Sequence, residues 1–205
     1  MTKDKILDAA ERLFADQGFD ATSLRQIIAA AGVNLAAVHY HFHSKEALLD
    51  AVILRKLAAV NRERMALLDR FEREAGGRAP AVEQVLEAFI APTWAVKERH
   101  PQFVKLMGRL HAEGFMLRLM KEHFQDVLER FLDAFHRSMP DTEREELLWR
   151  LHFTMGAMAH TLRGAPDLHL AAGCRPTFRP QQVSQSLVEF LAAGFRAPVR
   201  VVQEK

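Results

Sequence analysis

Apolar residues recur three and four positions apart through almost the whole chain, and nowhere do they alternate with polar ones for more than a few residues. That period puts side chains on one face of an α-helix and leaves nothing with which to build a sheet. Ile6, Ala9, Ala10, Leu13 and Phe14 form the first such face, ended by Gly18. Leu24, Ile27, Ile28 and Ala31 form a second, behind the capping residues Thr22-Ser23 and stopped by Gly32. Asn34 can cap a third helix reaching His41 or Phe42, with Val38 and Phe42 turned inward. Ser44 opens a fourth, much longer one that extends to about Glu74. Pro80, Pro101, Pro140 and Pro180 stand where later helices should begin, and Pro92 should kink or end the helix it interrupts. Residues 163–179, rich in Gly, Pro and small side chains, read as a loop. The predicted fold class is all-α, about nine helices: an N-terminal three-helix domain over 1–48 and a helical body over 49–205.

With 205 residues, 49% hydrophobic and 26% charged, the chain can bury a real core. Leu, Ala, Arg and Glu outnumber the β-branched residues, which favours helix because unbranched side chains lose less rotamer freedom there. The single cysteine, Cys174, excludes an internal disulfide and a Cys-based zinc site. The N-terminus is charged and amphipathic rather than apolar, and the longest uncharged run, Gln26 to Ser44, is broken by Gly32, Asn34 and three histidines. No membrane span and a cytoplasmic location are therefore expected.

Net charge is only +2, and residues 1–50 carry more acid than base, which by itself argues against nucleic acid. Distribution matters more than the sum. No acidic residue stands between Thr22 and Lys45, and Arg25, Lys45 and a histidine cluster lie in that window. A surface meant for phosphates has this composition. The short helix, Gly-containing turn and second short helix describe a helix-turn-helix. Leu24, Ile27, Ile28, Ala31, Val33 and Val38 would pack its two helices together, freeing the outer face of the second for the major groove.

The run from Ala31 to Leu48, AGVNLAAVHYHFHSKEAL, resembles the signature of the tetracycline-repressor (TetR) family, as do Ile6–Phe14, Gly18-Phe19 and Thr22–Ile27. The resemblance implies that Thr22, Ser23 and Arg25 hold the phosphate backbone from one side, and Tyr40 and Lys45 from the other. It implies that Asn34, Leu35, Ala36, Ala37 and His39 face base edges, and that Phe42 anchors the unit to the first helix. Two positions depart from many relatives: His39 replaces a Tyr, and Leu35 a polar or basic residue. With Leu, Ala and Ala at the tip, thymine methyl contacts and DNA shape would carry more of the specificity. Tyr40 could instead pack an interface. His39 and His43 lie one turn apart, but no Cys or carboxylate at ligand spacing precedes Glu46, so neither metal nor cofactor is expected.

In such relatives the body senses a ligand and forms the dimer. The segment Glu146–Met158 resembles the branch responding to long-chain fatty acids or their thioesters. The body holds both tryptophans and most phenylalanines and methionines, which suit an adaptable apolar wall. Phe89, Trp94, Phe103, Met107, Phe115, Trp149, His152 and Phe153 are the candidate lining, although such stripes are as easily ordinary core. Arg109, His111 and His152 could hold an anionic head group, or Arg109 could be a solvated helix residue. The faces Leu151, Met155, Met158, Leu162 and Val183, Leu187, Phe190, Leu191 would make a four-helix interface between two copies, or else pack within one subunit. The expected partners are a palindromic double-stranded DNA operator, a second copy and a small hydrophobic effector. The rivals are an architectural DNA-binding protein without a ligand and an enzyme. No Gly-rich phosphate loop, G-x-S-x-G, H-E-x-x-H or recognisable carboxylate pair supports an enzyme.

Overall fold

The computed structural model describes residues 2–163, 169, 171–174, 177 and 179–198, and among them it holds helices and no strand. The helices are α1 (Thr2–Gln17), α2 (Leu24–Ala31), α3 (Leu35–Phe42), α4 (Lys45–Glu74), α5 (Val82–Arg99), α6 (Pro101–Ala112), α7 (Met116–Leu119), α8 (Gln125–Ser138), α9 (Arg144–Arg163) and α10 (Pro180–Phe195). A π-helical turn, Met120–Phe124, joins α7 to α8. With α7, this turn and α8 taken as one continuous stretch, the described residues hold nine helices. The loop read over 163–179 falls largely outside the described residues, and Cys174 within it is an exposed free thiol.

The chain divides into two compact units. The first runs to Asn61 and includes Val96–Phe124; the second comprises Arg62–Ala95 and the chain from Gln125 onward. In the first, Ile6, Ala10 and Phe14 of α1 are fully buried with Ile27 of α2, Leu48, Leu49 and Ile53 of α4, and Leu106 and Leu110 of α6. The three N-terminal helices thus share one core with α6. The outer face of α1 is not simply solvated: Arg55 of α4 reaches both Asp8 and Glu11 at 2.7 Å, and Glu11 is buried.

In the second unit, Phe89 packs edge-on against Phe131 at 5.1 Å and Phe135 stacks on Phe195 at 4.5 Å. Pro92 does not end α5, which runs on to Arg99. Proline removes one amide from the helical ladder, and close to that break the buried Arg64 donates from Nε to the Phe89 carbonyl and from a terminal nitrogen to Thr93 Oγ1, each at 2.9 Å. Burial pushes the Arg64 guanidinium down to about 10. Arg150, also buried, caps the end of α10 through the Phe195 and Ala197 carbonyls and pairs with Glu146 at 2.7 Å.

Glu72 of α4 is held by Arg130 and Arg137 of α8, and the Arg130 hydrogen bond keeps its carboxyl below the usual range. A depressed folded value contributes stability above the ordinary carboxylate pKa of about 4.3, and the contribution is lost as pH falls through the folded value. Glu72→Gln should therefore lower stability at neutral pH and flatten the acid limb of a stability-against-pH curve. An unchanged acid limb would show that the triad contributes nothing.

Candidate nucleic-acid interface

The turn between α2 and α3 follows from two residues. Gly32 sits at φ +64°, its amide bonds the Ala29 carbonyl, and the Val33 amide reaches back to Ile28 at 3.3 Å, satisfying carbonyls that the helix end would orphan. Asn34 then accepts the Ala37 amide at 2.9 Å and starts α3 at once. Val38 and Phe42 are buried beneath, so the opposite face of α3 is obliged to point outward. That face is unusually bare. Tyr40 is 80% exposed and Leu35 53% exposed, and Asn34, Ala36 and His39 are exposed beside them; Ala37 is half-buried against the core.

The flanks are built differently from each other. Ser23 caps α2 and closes a capping box with Gln26, which uses the amides of Ser23 and Gln26. The amides of Leu24 and Arg25 carry no hydrogen bond among the described residues, and the Arg25 side chain is exposed. A helix N-terminus of this kind attracts anions. Thr22, by contrast, is 1% exposed, and its hydroxyl donates to the Gly18 carbonyl at 2.6 Å. Its hydroxyl is engaged within the chain. Lys45 is half-buried, its ammonium bonding the Phe19 and Thr22 carbonyls at 2.9 and 3.1 Å and lying 4.2 Å from the Phe19 ring centre. It pins the α1–α2 turn instead of reaching outward.

Two family models match: "Bacterial regulatory proteins, tetR family" over residues 6–52 and "Tetracyclin repressor-like, C-terminal domain" over 87–194. The chain belongs to the tetR family of bacterial regulatory proteins. It is 37% identical over 176 residues to the HTH-type transcriptional regulator UidR of Escherichia coli K12, covering 77% of this chain and 90% of UidR. It is 33% identical over 141 residues to the HTH-type transcriptional repressor NicS of Pseudomonas putida, covering 65% of this chain and 62% of NicS. The solved ketosteroid transcriptional regulator KstR2 of Mycobacterium tuberculosis shares the fold, with a TM-score of 0.62 at 18% identity over 95% of this chain and 94% of that one.

In this TetR-family chain the residues of the expected effector lining are divided between the two units. Phe89 and Trp94 are buried in the second unit. Phe103, Met107 and Phe115 belong to the first, where Phe115 meets Phe19 edge-on at 5.1 Å and Met107 packs on the same core. Arg109 donates to the Asp16 and Gln17 carbonyls at 3.3 and 3.0 Å, and His111 is exposed. Trp149, His152 and Phe153 form an exposed aromatic cluster on α9, with ring centres 5.7 to 6.2 Å apart. Residues three and four apart share one helix face, and this one is turned away from the core. One open cleft among the described residues, of about 300 Å3, is lined by the charged side chains of Asp8, Arg12, Arg55, Lys56 and Arg99 together with His100.

The expected dimer faces split as well. Leu151, Leu162, Leu187 and Leu191 are buried within their own unit, Met155, Met158 and Val183 are half-buried, and Phe190 is 72% exposed. Thus α9 has two apolar faces, the inner one through Leu147 and Leu151 and an outer one carrying Trp149 at 53% and Phe153 at 60% exposure.

Proposed function

We propose that this protein is a transcriptional regulator, not an enzyme, and that two copies bind a palindromic operator through the exposed face of α3. The observation carrying the reading is that face: a solvated Tyr and Leu on a rigid, doubly capped helix have no packing purpose in the chain itself. Tyr40 on one flank and Ser23, Arg25 and the free start of α2 on the other would take backbone phosphates. Asn34, Leu35, Ala36 and His39 would meet base edges, with Leu35 against a thymine methyl. Two copies would join through the outer faces of α9 and α10, where Trp149, Phe153 and Phe190 stand exposed.

A small hydrophobic effector completes the proposal, supported by the match to the C-terminal family model and by the likeness of Glu146–Met158 to the fatty-acid-responsive branch. It would shift α4, change the spacing of the two α3 helices and release the operator. A coupling of about 1–3 kcal/mol suffices. The test is selection of a duplex from a randomised library by the wild-type protein, followed by binding titrations with and without fatty acids and acyl thioesters. Leu35→Ala should relax discrimination at the thymine it contacts by about 1 kcal/mol or more. Unchanged discrimination would remove Leu35 from the reading surface, and failure to enrich any duplex would remove the function.

A further inference from the structure

The α1–α2 turn, Gly18 to Thr22, is gripped from two sides. Lys45 holds the Phe19 and Thr22 carbonyls from α4. From the other side, Glu113, just past the end of α6, accepts the Phe19 amide at 3.2 Å, although 94 residues separate them. Arg109, one turn earlier on α6, pairs with Glu113 at 3.3 Å and covers the last carbonyls of α1 at Asp16 and Gln17. A guanidinium suits a helix C-terminus, where the backbone dipole is negative.

Gly18 is fitted to this grip. Its φ of +92° is one a side chain rarely adopts, and a methyl group built there would overlap Glu113 Oε1 and stand 3.0 Å from Arg109 Nε. The absent side chain is the space that Glu113 occupies. Backbone conformation and the approach of α6 thus make the same demand at one position.

The gripped turn ends at Ser23, the cap of α2 and the start of its phosphate-facing end. We infer that Glu113 and Arg109 are positioning residues for operator binding: through the Phe19 amide and the end of α1 they set where Ser23, Arg25 and the free amides of α2 stand. Phosphate contacts fix register on a duplex and depend on geometry. This rests on the operator reading above.

The experiment measures binding of the duplex selected by the wild-type protein, over a range of salt, alongside hydrogen exchange of the Phe19 amide. Glu113→Ala should expose that amide to exchange and weaken binding about tenfold. Losing one phosphate contact per protomer should also make the slope of log affinity against log salt shallower by about 1.8 for the pair. Glu113→Gln keeps an oxygen for the Phe19 amide and should restore most of both. Should the alanine variant fail to fold, Glu113→Asp, too short to reach the amide, takes its place with the same expected loss. Unchanged affinity and slope despite an unprotected Phe19 amide would overturn the inference, since a merely structural clamp lowers stability alone. So would a Gln variant as weak as the Ala variant. A wild-type protein that selects no duplex sinks the operator reading and this inference together.

Discussion

Phe153→Asp combined with Phe190→Glu should turn the protein into a monomer and weaken operator binding at least a hundredfold, read by sedimentation and by fluorescence anisotropy on the same sample. Both rings face solvent in the single chain, so neither substitution removes a core contact. Each charge would enter a two-fold interface twice, once from each copy, and lie desolvated without a partner. Loss of the pair removes the second half-site from the same binding event, and tethering of this kind is typically worth about 10²–10⁴ in affinity. A sample that still sediments as a pair would show that the two copies meet elsewhere.

Phe14→Ala should cost about 3–5 kcal/mol, measured as a lower denaturation midpoint at unchanged slope. The ring is fully buried, 5.5 Å from that of Phe19, which in turn meets Phe115. Truncation would leave a cavity bordered by a fitted aromatic stack that cannot readily collapse. Because Leu106 and Leu110 share that core, amide exchange should quicken in α6 as well as in α1. A loss below about 1 kcal/mol, or exchange confined to α1, would mean that the helices are held by something other than this core.

Much of the exposed face of α3 and of the capping around it was legible in order along the chain. Ser23, Gly32 and Asn34 act locally, each through backbone groups no more than a few residues away, so residue type and position suffice to identify them. The exposure of Leu35 and Tyr40 follows from the burial of Val38 and Phe42, which the helical period already implies. Thr22 and Lys45 make contacts that the sequence did not indicate, for one shared reason. Both lie beside the exposed starts of α2 and α3 in sequence, but their polar atoms are taken by carbonyls of the α1–α2 turn, which no spacing rule reveals. Arg109 and Glu113 act across more than ninety residues, and neither carries a local signature of that role.

The sequence by itself determined an all-α chain, the boundaries of a helix-turn-helix and the outward residues of its second helix, because capping and helical periodicity are short-range physics. Which face of α9 is core, which side chains hold the α1–α2 turn, and that α6 belongs to the same core as α1 were decided by tertiary structure alone. An apolar or charged side chain is equally content with any partner of the right chemistry, and only the three-dimensional path of the chain selects which one comes within reach.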